Sequence, residues 1–219
     1  MHIPILNIPL LYSGAIAQGA IKDLMVTIIS TILSFILGTL GATARLYGPK
    51  LVKTVVYWYV EIIRGLPAIL QLFIIYYGFT QWGIDFSPLT AALIWLVAYG
   101  TGYGVEIFRS GIIDVPQGQW EAASALGLSR TMTMFRIIVP QAYVAMLPPL
   151  TSFVVLQLKN TTLLYLVAYS DIMYQARLGT DATEQPGILY LMAALAYLIM
   201  SLAIGRLGYR LERRAAAYR

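Results

Sequence analysis

The chain has 219 residues, 59% of them hydrophobic and 11% charged, with 15 Lys and Arg against 10 Asp and Glu. Soluble domains carry about 25% charged residues, so this balance excludes an ordinary water-soluble globule and places the chain in a bilayer. There is no cysteine, which excludes disulfides, thiol catalysis and cysteine-ligated metal, and the single histidine, His2, cannot make a metal cluster.

In chain order, the apolar stretch Ile3–Leu11 and the small-x-small run Ala15-Ile16-Ala17 come first. No Lys or Arg precedes them, so a cleaved signal peptide is not expected, and residues 8–22 read as an external interfacial helix. Five charge-free windows follow: Leu24–Ala44, Gly65–Ile84, Phe86–Val105, Ile137–Leu158 and Gln185–Gly205. Each has the length, about 20 residues, that crosses ~30 Å of hydrocarbon at 1.5 Å per residue. The expected spans are 21–45, 54–79, 88–108, 136–158 and 186–208, in one all-α membrane domain over 1–219. Tyr47-Gly48-Pro49-Lys50 reads as an inside turn, in which Pro49 cannot continue the helix just finished. Gly100, Gly102 and Gly104 alternate inside an apolar span with no preceding strand, which signals close helix packing or a kink, not a nucleotide cradle. Pro148-Pro149 is expected to break span four, as a hinge or a packing kink.

With the C-terminus inside, the cytoplasmic set is Arg45, Lys50, Lys53, Arg109, Arg130, Arg136, Arg206, Arg210, Arg213, Arg214 and Arg219, which is 11 of the 15 basic residues. The positive-inside rule therefore puts the N-terminus out and the C-terminus in. The net charge of +5 follows from this topology and gives no support to nucleic-acid binding.

Between spans three and four lies the longest cytoplasmic insertion. Pro116 suits a helical first turn, Gln117 to Leu126 are good helix formers, Gly127 supplies a stop, and Ser129 is placed to cap the next helix. A short helix of residues 116–127 is expected outside the lipid, with Trp120, Ala123 and Leu126 as its apolar stripe. By shape alone it could rest on the membrane surface.

The segment EAASALGLSRTMTMFRIIVP, residues 121–140, resembles the EAA signature of permease subunits of bacterial ABC importers: Glu121, Ala122, Ala123, Gly127, Ile137, Val139 and Pro140 fill the pattern without a gap. YVEIIRGLPAILQLFIIYYGF, GYGVEIFRSGIIDVPQGQWEAA and QLKNTTLLYLVAYSDIM are similar to stretches of the polar amino-acid uptake branch, from about residue 20 to 212. Leu66 stands where that branch usually has Thr, and Asn160 where many members have Asp. The resemblance implies the type I importer permease fold, with five spans and a cytoplasmic coupling helix between spans three and four. It implies that Gln119, Glu121, Ala122, Ala123, Leu126 and Gly127 meet a separate ABC ATPase subunit, present in two copies, which binds ATP and magnesium. No cofactor is expected in this chain. The implied partners are a second permease, identical or paralogous, a periplasmic solute-binding protein and membrane lipid, in a bacterial inner membrane.

For the cargo, Lys159 is the leading residue. An ionised lysine at membrane depth costs ~2.5–3.5 kcal/mol on insertion scales, so it needs a carboxylate or water, or it snorkels to the outer interface. Asn160 and Thr161 follow it and could complete a polar lining. Arg64 could hold a carboxylate or neutralise Glu61 three residues earlier, and Gln71 lies two turns beyond Arg64. Glu106 and Arg109 read as a gate or brace. One cation and no acid at Lys159-Asn160 leans towards acidic or amide cargo. The competing readings are an ion-gradient-driven secondary transporter, a permease of the same fold for opines or other small amines, and a non-transporting scaffold for an ATPase.

Overall fold

Each apolar window is mostly helical in the computed structural model, which describes residues 7–216; His2 and Arg219 lie outside the described residues. Helix α1 (Ile8–Tyr47) runs unbroken for 40 residues, about 60 Å at 1.5 Å per residue and twice the hydrocarbon thickness. The stretch 8–22, expected as a separate interfacial helix, is thus the N-terminal part of α1. The turn Gly48-Pro49 leads into α2 (Lys50–Gly65), and α3 (Ala68–Phe73) follows at a bend of 109°. Pro67 causes the bend, because it lacks an N–H and disfavours helical backbone at Leu66, which is extended (ψ 140°). The π turn Ile74–Gly78 and the 3-10 turn Phe79–Trp82 complete this broken second span.

Helix α4 (Pro88–Ile113) is capped by Ser87, which accepts from the Thr90 N–H at 3.2 Å. The short α5 (Gln117–Ala125) and α6 (Arg130–Thr133) lead through a π turn at Met134–Ile138 into α7 (Val139–Asn160). Then come a 3-10 segment (Thr161–Val167), α8 (Ile172–Thr183) and α9 (Pro186–Ala216). Among the described residues four helices are long and apolar enough to cross a bilayer, and the bent pair, counted as one broken span, brings the number to five. Pro148 and Pro149 do not break span four, because α7 continues through them. Both prolines are exposed while Leu147 and Leu150 beside them are buried, so packing on the inner face holds the helix together.

Helix α4 is the centre of the bundle. Gly38 of α1 lies on the Gly104 backbone, where an added Cβ would stand 3.0 Å from Gly104 Cα. At Gly100 a Cβ would lie 2.8 Å from Ser34 Cβ, and at Gly102 2.6 Å from Ile63 Cγ2 of α2. The alternating glycines therefore serve close packing, as their setting in an apolar span predicts. Three successive α4 carbonyls are each met by a different span: Leu96 by Gln157 Nε2 (3.0 Å), Val97 by Ser34 Oγ (3.3 Å) and Ala98 by Tyr59 OH (2.6 Å). Trp95, Leu96 and Tyr99 of α4, with Leu72, Val26, Phe153 and Leu164, form the main core.

Candidate coupling and translocation site

The segment after α4 is built to stand off the bundle. Pro116 is the residue before α5, one position earlier than its expected place inside the helix. Gly127 ends the helix at φ 72°, left-handed backbone that a Cβ would strain. Ser129 then caps α6, accepting from the Met132 N–H at 3.3 Å. Ala123 is 1% exposed and Trp120 packs with Val115, Ile138, Ala142 and Met146, which seats α5 on the ends of α4 and α7. Gln141 of α7 donates to Gln119 Oε1 at 3.2 Å. The other face is open: Gln119, Glu121, Ala122 and Gly127 are exposed, and Leu126 is 78% exposed. The expected Trp120–Ala123–Leu126 stripe is therefore split, since Leu126 projects away from the seat.

Above α5, charges join three spans. Glu106 accepts from Arg45 of α1 and, at 2.8 and 3.2 Å, from Arg109 of α4. The Arg45 guanidinium also lies over the Tyr57 ring of α2, 5.2 Å from its centroid. The brace expected at Glu106 and Arg109 is present, with Arg45 as a third member. Arg45 had counted in the sequence only as a topological charge.

Arg64 forms no ion pair with Glu61 among the described residues. Its guanidinium lies over the Tyr103 ring at 5.6 Å, and Tyr103 packs tilted against Tyr99, with ring centroids 4.7 Å apart. The Tyr99 hydroxyl neighbours the Asn160 side chain, so two tyrosines join Arg64 to Asn160. Asn160 Nδ2 is buried without a partner, and Lys159 beside it is exposed. Thr161 turns the other way: it is fully buried, and its hydroxyl donates to the Leu158 carbonyl at 2.7 Å. Gln71 is also engaged internally. Its Nε2 donates to the Ile63 and Leu66 carbonyls at 2.8 and 2.9 Å, groups freed by the break at Pro67. The bend removes the straight polar stripe expected from Arg64 to Gln71.

A buried acidic joint went unread in the sequence. Asp23 of α1 is fully buried, and its Oδ2 accepts from Tyr197 OH of α9 (2.9 Å) and the Ile172 N–H of α8 (3.2 Å). Asp171, also fully buried, caps α8 by accepting from the Tyr174 N–H at 2.6 Å. Burial, followed by the charge of Asp23, pushes the Asp171 carboxyl up to about 8. Asp23 directly follows Lys22 at the lip of span one, where it passes for an interfacial charge.

The sequence profile of the "binding-protein-dependent transport system inner membrane component" family matches residues 30–217. The chain belongs to this family. It is 32% identical over 204 residues to the L-cystine transport system permease protein TcyB of Bacillus subtilis, covering 93% of this chain and 87% of the relative. It is 30% identical over 201 residues to the glutamine transport system permease protein GlnP of Escherichia coli K12, covering 90% and 91%. A crystal structure of an amino acid ABC transporter with histidines superposes with a TM-score of 0.92 at 31% identity, over 98% of this chain and all of that one. The inward-facing MetNI methionine ABC transporter shares the fold alone, with a TM-score of 0.78 at 17% identity over 92% and 96%. The chain is thus the transmembrane permease subunit of an ABC importer, with the type I permease fold. As a permease, it contributes transport machinery and no catalytic centre of its own.

Proposed function

We propose that this permease carries a polar amino acid into the cytoplasm by alternating access, and that α5 is the lever through which a separate ATPase drives it. The observation that carries this reading is the two-sided character of α5. Ala123 and Trp120 fix it to α4 and α7, while Glu121, Ala122 and Leu126 face outward with nothing of this chain against them. A force on that face passes to α7 and to α4, the most enclosed of the long helices among the described residues. Two permeases, identical or paralogous, enclose the path, two ATPase subunits bind the ATP and magnesium, and a periplasmic binding protein delivers cargo. The cargo class is supported by the amino-acid systems among the relatives. Lys159 supplies a cation for an α-carboxylate, while Asn160 and the Arg64–Tyr103–Tyr99 row supply polar and aromatic lining. Thr161 and Gln71 act as supports in this arrangement. The family and the concentration of basic residues support an inner-membrane location with the N-terminus outside and α5 and the C-terminus in the cytoplasm.

The absence of cysteine makes the test direct. Single Glu121→Cys and Leu126→Cys variants, in membranes with the cognate ATPase carrying cysteines along its permease-facing cleft, are expected to form inter-subunit disulfides whose yield changes with ATP. Ala123→Cys, on the buried side, is the low-yield control. In proteoliposomes of the same complex, Lys159→Gln is expected to lower ATP-dependent uptake at least tenfold with cross-linking intact. Uptake that proceeds without ATP, or disulfides only from Ala123→Cys, contradicts the reading.

A further inference from the structure

One groove in the structure belongs to none of the machinery above. It lies at the C-terminal end of α9, has a volume of about 470 Å³, and is lined by Leu202, Gly205, Arg206, Tyr209, Arg210 and Arg213. The spacing places these residues on one helical face, since 202, 206, 209 and 213 are three or four apart. The opposite face is occupied: Gly208 packs on the Thr151 side chain of α7, and Glu212 Oε1 meets Thr151 Oγ1 at 2.9 Å. The one acid of this segment is therefore turned away from the arginines. Arg206, Arg210 and Arg213 have no carboxylate partner among the described residues and are all exposed. The Arg213 guanidinium lies over the Tyr209 ring at 5.9 Å. Like charges one turn apart repel, so the bare stripe is unfavourable until an anion enters it.

The same stripe continues towards the membrane as Leu195, Leu198, Ile199 and Leu202, between 46% and 67% exposed. Along one face the surface changes from hydrocarbon-compatible to cationic between residues 202 and 206, within about 6 Å of rise. A phospholipid has this profile, with acyl chain and then phosphate. A free anion would have no use for the apolar half, and a protein partner would have to match both halves. We infer that the α9 groove is a binding site for an anionic phospholipid of the leaflet at that end (the cytoplasmic one in the orientation proposed above), its phosphodiester held by Arg206, Arg210 and Arg213. Arginine suits this ligand because its planar fork can bond two phosphate oxygens at once. Gly205 lines the groove, and a Cβ there would stand in open space, with no atom within 4 Å.

The test uses the purified full-length chain in neutral detergent, titrated with short-chain phosphatidylglycerol, short-chain phosphatidylcholine or inorganic phosphate, with bound species read by native mass spectrometry. Phosphatidylglycerol is expected to bind at least tenfold more tightly than phosphatidylcholine. The combined variant Arg206→Gln, Arg210→Gln, Arg213→Gln is expected to weaken it on the order of a hundredfold, about fivefold per arginine. Gly205→Leu retains every arginine but fills the groove, and is expected to weaken binding at least tenfold. The charge control Lys50→Gln, Lys53→Gln is expected to stay within twofold of wild type. Equal affinity for the two lipids, or unchanged phosphatidylglycerol binding in the triple and Gly205→Leu variants, overturns the site. Displacement of the lipid by equimolar inorganic phosphate shows an adventitious anion only. A shift from dimer to monomer in the variants with lipid binding unchanged shows a chain-to-chain interface. Either result also overturns the proposal.

Discussion

A carboxyl group shut away from water holds its proton, and Asp171 is fully buried beside a second buried acid, Asp23. With its carboxyl lifted to about 8, against about 4 for an unfolded Asp, the folded protein binds this proton more tightly than the unfolded chain. The resulting stabilisation is fully present below pH 4 and is lost as pH rises through 8. Thermal melts of the detergent-purified permease between pH 4.5 and 8.5 are expected to show the midpoint falling with pH through this group. Asp171→Asn is expected to flatten that fall while retaining an oxygen for the Tyr174 N–H. A wild-type slope that survives in the variant places its origin elsewhere. This joint was hidden in the sequence because its two acids are 148 positions apart: Asp23 flanks an apolar window as an interfacial charge would, and Asp171 lies between the last two windows, where it passes for a loop residue. Lys159, by contrast, is conspicuous in the sequence because 22 charge-free residues precede it.

Among the elements, α4 is held most closely, since three neighbouring spans reach its carbonyls at Leu96, Val97 and Ala98. Interhelical hydrogen bonds of this kind contribute about 0.6 kcal/mol on average in membranes, so backbone proximity at the glycines matters more. Gly100→Ala pushes a methyl into Ser34 and towards Gln157 Nε2, at 2.8 and 3.0 Å. Overpacking of this sort costs about 1–3 kcal/mol. The measurement is the denaturant midpoint in mixed micelles, where Gly100→Ala is expected to melt earlier and Gly205→Ala, with open space around it, is not. The glycine pattern and the α5 stop at Gly127 were readable because each follows from local chemistry, whereas α1 runs well beyond its expected start at residue 21. The continuity of α7 through Pro148-Pro149 was not, because proline alone says break, and the inner-face packing that overrides it comes from residues far away in sequence. The bend at Pro67 was missed for the opposite reason. A charge-free window records length and polarity, and a 109° turn leaves both unchanged.

At the scale of the molecule, the two ends of the bundle differ in charge and in architecture. One end carries α5, the Arg45–Glu106–Arg109 brace and the arginines of α9. The other carries Trp82, the buried acid pair and α8 with its exposed Arg177–Asp181 ion pair. The concentration of basic residues and the proposed division of labour both favour the first end as the cytoplasmic one, where ATP and anionic headgroups would be met, with a binding protein at the other. The cysteine-free background again permits a direct measurement. Leu126→Cys on α5 and Leu178→Cys on α8 are 78% and 47% exposed, so neither thiol is hidden by the fold. In intact cells stripped of their outer membrane, a membrane-impermeant maleimide is expected to label Leu178→Cys and to spare Leu126→Cys until the membrane is permeabilised. Labelling in the reverse order inverts the whole molecule: the lever, the brace and the lipid groove would then all face a compartment without ATP, and α5 could not be the point at which energy enters.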